Sequence, residues 1–91
     1  MTLTELFGDT ARVRILEELV SNWGTPLKPS EIARMADVSE KSVYTHMKQL
    51  DGVGLLENIE GKSTKYMLKE DDKRALSLAI IYNAEYMRKI K

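Results

Sequence analysis

Apolar residues recur along this chain at helical spacing, and one short stretch near residue 60 breaks the rhythm. Ala11, Val13, Ile15, Leu16, Leu19, Val20 and Trp23 form a broad stripe. It predicts a central helix from about Thr10 to Asn22 with Asp9 as its N-cap. Arg12, Arg14, Glu17, Glu18 and Ser21 are then its wet side. Both arginines read as solvated or ion-paired, with phosphate contact as the other reading. Before it, residues 1–8 predict a short helix with Leu3, Leu6 and Phe7 on one side, stopped by Gly8. After it, Asn22-Trp23-Gly24-Thr25-Pro26 is a break, and Leu27-Lys28 a brief extended segment whose backbone is free to pair with a hairpin elsewhere.

Residues 30–50, SEIARMADVSEKSVYTHMKQL, predict two short helices around a tight turn. Ser30 and Ser39 are each placed to cap a helix, and Glu31 and Glu40 put a carboxylate in the first turn. Ile32, Ala33 and Ala36 share one face of the first helix; Val43, Met47 and Leu50 share one face of the second, expected over Glu40–Leu50. Val38 plugs the junction, small Ala33 lets the backbones approach, and Asp37 sits where the turn demands a positive φ.

Asp51-Gly52-Val53-Gly54 ends the second helix. Leu55–Glu60 and Thr64–Leu68 then read as two strands with a tip at Gly61-Lys62-Ser63, where Gly61 is free to take a positive φ. On the return strand, Tyr66 and Leu68 alternate with Lys65, Met67 and Lys69. The last helix opens on Glu70-Asp71-Asp72 and runs from Lys73 to Ile90, with Arg88, Lys89 and Lys91 at its negative end. Leu76, Ile80, Asn83, Met87 and Ile90 fall at heptad-like spacing, beside a second row of Ala75, Leu78 or Ala79, Tyr82 and Tyr86. One packing surface of a small domain does not satisfy both rows. The second row is expected against the chain's own core and the first against a second subunit; the alternative is a terminal helix packed wholly within its own chain. Asn83 either fixes register between two copies or is half-exposed.

The spacing of Ile32, Ala33, Ala36, Asp37, Val38 and Val43 resembles a helix-turn-helix, with Asp37 where glycine is usual. A hairpin after such a pair looks like a winged helix. More narrowly, three stretches resemble the ArsR-like winged-helix transcriptional regulators of bacteria and archaea. They are Leu6–Leu16 (an L-G-D-x-x-R-x-x-I-L type of run), Ser42–Leu50, and Gly54-Leu55-Leu56 through Glu60-Gly61-Lys62 to Tyr66. The resemblance covers residues 3–69. It implies a winged helix-turn-helix domain over 1–69; with the two-rowed C-terminal helix, 70–91, read as dimerisation element, the expected fold class is α+β, mostly α. The resemblance implies a DNA-binding regulator.

Composition bounds this reading. With 91 residues the chain has one domain's worth of core and little room for a deep catalytic cleft. No nucleophile–base spacing, phosphate loop or metal motif is visible, so an enzyme is not expected. The chain has no cysteine, which removes the thiol metal ligands that many members of the resembling family carry. No cofactor and no metal are expected, and any small-molecule effector stays open. His46, the one histidine, reads as a metal ligand or pH sensor only weakly. The resemblance implies a packing role for it within the recognition helix. No apolar run is long enough for a membrane span and no signal peptide opens the chain, which points to the cytoplasm.

Formal net charge is zero, unlike most nucleic-acid-binding domains. Local basic groups must then make the phosphate contacts. With Val43, Met47 and Leu50 inward, the second helix presents Glu40, Lys41, Ser42, Tyr44, Thr45 and Lys48 to a major groove. Lys41 suits guanine or a phosphate, and Ser42 and Thr45 suit base edges. Tyr44 suits a phosphate or sugar, Lys48 the backbone, and Glu40 either cytosine or its own helix start. Ser30 and Arg34 on the supporting helix read as phosphate contacts or as structural. Lys62, Ser63, Thr64 and Lys65 on the wing suit phosphates or a minor groove, or form a solvated turn. The expected partner is double-stranded DNA at a pseudo-palindromic site, bound by a homodimer. A winged-helix module for protein–protein contact in a transcription or replication assembly is the alternative, and RNA binding a third reading.

Overall fold

Seven elements follow one another in a computed structural model that describes residues 2–89. They are α1 (Thr2–Phe7), α2 (Ala11–Ser21), α3 (Pro29–Ala36), α4 (Glu40–Gly52), β1 (Leu56–Ile59), β2 (Lys65–Leu68) and α5 (Lys73–Lys89). None of the described helices is long and apolar enough to cross a membrane.

The core is where the periodic residues meet. Ile15 and Leu19 of α2, Ile32 and Ala36 of α3, and Val43, Met47 and Leu50 of α4 are buried in one cluster. Leu55, Leu56 and Leu68 close it from the hairpin, Leu3 from α1 and Ala75 from α5. At α3–α4 the expected turn is present: Asp37 adopts φ 57° and ψ 51°, the left-handed conformation. Val38 N–H donates to the Ala33 carbonyl at 3.1 Å, which closes the end of α3. Ser39 caps α4 by accepting from Ser42 N–H at 3.1 Å.

The hairpin pairs antiparallel, with Leu56 opposite Leu68 and Ile59 opposite Lys65. Leu27 adds a third rung: its N–H donates to the Tyr66 carbonyl at 2.9 Å and its carbonyl accepts from Tyr66 N–H at 2.8 Å. The extended Leu27-Lys28 segment thus pins the wing to the chain just before α3.

Several expectations are corrected. The cap of α3 is Lys28, not Ser30. Pro29 takes the first helical position, where its missing N–H costs nothing, and Glu31 accepts from Lys28 N–H at 2.8 Å. The cap of α2 is Thr10, which accepts from Val13 N–H at 3.2 Å. Asp9 instead pairs with Arg14 at 2.6 Å, and that hydrogen bond, with the guanidinium charge behind it, holds the Asp9 carboxyl below its ordinary range. Glu17 is not on the wet side of α2. It is buried, because α1 lies over it and the Leu3 N–H donates to its carboxylate. Leu3 alone of the α1 apolar side is buried; Leu6 and Phe7 are exposed. Gly61 is not in the positive-φ region, whereas Gly54, after α4, is at φ 78°. Nor does β2 alternate: Met67 and Leu68 are both buried, since the end of the hairpin enters the core.

The terminal helix starts at a built cap. Asp72 accepts from the N–H groups of Arg74 at 2.8 Å and Ala75 at 3.2 Å. Arg74 returns a side-chain bond to Asp72 at 2.9 Å and donates to the Val53 carbonyl at 2.8 Å. That links the start of α5 to the end of α4. The Arg74 guanidinium and the two backbone donors hold the Asp72 carboxyl at about 2. Ala75 is buried, and Leu78, Ala79, Ile81 and Tyr82 pack on the core. Lys89 reaches back to pair with Glu5 of α1. Ile90, expected in the apolar row, lies outside the described residues.

Candidate nucleic-acid interface

Burying Val43, Met47 and Leu50 turns the opposite side of α4 outward. Glu40, Lys41, Tyr44, Thr45 and Lys48 are exposed there, and Tyr44 keeps 56% of its surface in contact with solvent. Ser42 is half-buried on the flank, with its backbone N–H committed to Ser39. Thr45 donates its hydroxyl to the Lys41 carbonyl at 3.0 Å, which points its methyl group away from that bond.

One edge of this face meets the wing. A groove of about 380 Å³ is lined by Lys28, Ser30, Glu40, Tyr44, Ser63 and Thr64, together with Pro29 and Tyr66. The supporting helix, the recognition helix and the wing are therefore brought together at one place. Beside it, Lys28, Lys62, Ser63 and Lys65 surround a second groove of about 380 Å³ under the hairpin tip. Tyr44 and Lys48 line a third with Tyr66. Arg34 is exposed one turn beyond Ser30 but lines none of these grooves.

The other edge of α4 faces α2. His46 is half-buried there, and its Nδ1 accepts from Arg12 Nε at 3.2 Å. Burial first, and then the Arg12 charge, pull its pKa below the ordinary imidazole value, and Nδ1, as the acceptor of that bond, carries no proton.

Residues 9–58, more than half of the chain, match the family model described as bacterial regulatory protein, arsR family. The chain belongs to the ArsR family. No curated protein matches it. Solved structures establish the fold of this ArsR-family chain as a winged helix-turn-helix. A MarR family transcriptional regulator from Silicibacter pomeroyi superposes with a TM-score of 0.65 at 22% identity, over 86% of this chain and 57% of that one. A transcriptional regulator from Thermotoga maritima gives 0.63 at 20% identity, over 96% of this chain and 63% of that one. A protein from the thermoacidophilic archaeon Sulfolobus tokodaii gives 0.66 at 17% identity, over 99% and 98%. The chain thus spans about 57% and 63% of the lengths of the first two. Membership of the arsR family makes it, by that family's description, a regulatory protein built on a helix-turn-helix.

Within this ArsR-family chain the sequence missed Lys28. It reads locally as a linker residue, yet it lines both wing grooves. The available signal was its place immediately before Pro29-Ser30-Glu31, at a helix start that the Leu27 pairing brings beside the wing. Among the described residues, no three His, Cys, Asp or Glu side chains gather where a metal ion could be held.

Proposed function

We propose that this ArsR-family chain is a homodimeric, sequence-specific regulator of transcription that acts on double-stranded DNA in the cytoplasm. Helix α4 enters the major groove with Lys41, Tyr44, Thr45 and Lys48 forward and Glu40 and Ser42 at its start. The wing, with Lys62, Ser63, Thr64 and Lys65, lies on the backbone or in the adjoining minor groove. Ser30, Arg34 and Lys28 hold phosphates beside it. The observation that carries this reading is the meeting of recognition helix, supporting helix and wing around one open groove, lined by Ser30, Glu40, Tyr44, Ser63 and Thr64. Those are the parts that read bases and grip the backbone in this kind of docking.

The dimer rests on α5. Leu76, Ile80 and Met87 are exposed apolar residues on the side away from the core, with Asn83 among them. Two copies related by a two-fold axis would set their recognition helices about one DNA turn, ~34 Å, apart. Selection of bound sequences from a random duplex pool tests both points. A palindromic motif with half-sites one turn apart is expected, and a motif without symmetry would remove the dimer.

The formal net charge of zero favours one competitor, a winged helix that docks on protein rather than DNA. A mobility shift with random duplex at low salt separates the two. Binding at micromolar protein is expected; its absence would leave the protein-docking module standing.

A further inference from the structure

We infer that Arg12 is a second DNA-backbone contact, presented by His46 on the flank of the recognition helix opposite the wing. The inference rests on the DNA-binding reading above. At 100° per residue, Glu40 and Tyr44 turn towards the wing, and Ser42, His46 and Gln49 turn towards the other edge. The groove lined by Glu40, Tyr44, Ser63 and Thr64 fixes which edge is which, and the Arg12–His46 bond fixes the other. A helix with its side chains is about 10–12 Å across, and the major groove is about 12 Å wide. A helix seated there has a sugar-phosphate ridge on each flank. The wing and Lys28 supply cations for one ridge. Arg12 is the cation at the other.

Its bonding suits the task. Arg14 is neutralised by Asp9, Arg74 by Asp72 and Arg88 by Glu85. Arg12 is exposed and has as its partner an imidazole that carries no charge to cancel its own. The bond engages Nε alone and leaves the two terminal nitrogens without a partner among the described residues. A guanidinium held by Nε keeps its forked outer edge for a phosphate. Holding it beforehand also removes part of the entropy cost of ordering a long side chain on binding. His46 is thus a positioning residue: it accepts from Arg12 and packs α4 on α2.

The test is fluorescence anisotropy with a selected duplex and a random one over a range of salt, with thermal melts as the fold control. Arg12→Gln should weaken binding to both duplexes by the same several-fold factor and lower the salt slope by about one per bound protomer, with base preference unchanged. His46→Asn, which keeps an acceptor near the position of Nδ1, should keep the slope. His46→Leu should lose part of what Arg12→Gln loses and add nothing when combined with it. An unchanged slope in Arg12→Gln, while the wild-type chain binds duplex, overturns the inference alone. So does additivity in the double variant, or a change of base preference in Arg12→Gln. A wild-type chain that binds no duplex overturns the DNA-binding reading and this inference with it.

Discussion

At the scale of single residues, a few backbone positions decide where helices begin and how the chain turns. Asp37 occupies the left-handed region, which costs a branched side chain more than Asp and costs glycine nothing. Asp37→Val should therefore destabilise by ~1–2 kcal/mol, and Asp37→Gly should be at least as stable as wild type, both read by urea denaturation. Equal stability of the Val variant would show that the turn is not set by its φ. Asp72 carries the cap of α5, and its carboxyl sits at about 2 rather than 3.8. A folded-state pKa below the unfolded one means stability that is present above about pH 4 and lost as pH falls towards 2. The melting-temperature gap between wild type and Asp72→Ala should be widest above pH 4 and close over that range. A gap independent of pH would assign the effect to packing instead. Asp37 and Ser39 were legible from residue type alone. Ser30 was not, because Lys28, Pro29 and Ser30 in succession offer competing starts, and Pro29 in the first turn with Glu31 accepting from Lys28 N–H settles the cap at Lys28.

At the scale of elements, the helix pair and the hairpin form as their patterns predict, and the margins differ. The apolar triplet Val43, Met47 and Leu50 is buried as read, because period and face agree over about two turns. The strands did not follow their alternation, since a hairpin of two four-residue strands has no second sheet and its inner end is covered on both faces. The wing is where the interface can be tested as a unit. Lys62→Ala with Lys65→Ala should weaken DNA binding on all sequences alike and flatten its salt dependence. Tyr44→Ala or Thr45→Ala should change base preference or affinity, read by the same selection experiment. Wild-type behaviour in both α4 variants would mean that this face of the helix does not meet the bases.

At the scale of the whole molecule, α5 shows two faces with different fates. Ala75, Leu78, Ala79 and Tyr82 turn to the core, while Ile80 remains 68% exposed and Met87 55%. An isolated exposed Ile is ordinary; the row of Leu76, Ile80 and Met87 along one helix is the surface proposed to meet a second copy. Ile80→Glu should leave the melting of the single chain nearly unchanged, because little of that side chain is buried within it. It should shift the sedimentation coefficient from dimer to monomer and weaken binding to a two-half-site duplex. A wild-type chain that sediments as a monomer at tens of micromolar would leave that row without a partner copy.

Sequence by itself determined what depends on neighbours a few residues apart. That includes the helical periods, the Ser39 cap, the left-handed Asp37, the buried side of α4 and so its outward one, and the ArsR-type order of helix-turn-helix and hairpin. These are local properties, and local rules read them. Tertiary structure alone decided what depends on approach across the chain. It drew Glu17 under α1, placed Lys28 beside the wing, and gave Arg12 the imidazole of His46. In each case the deciding contact joins residues far apart in sequence.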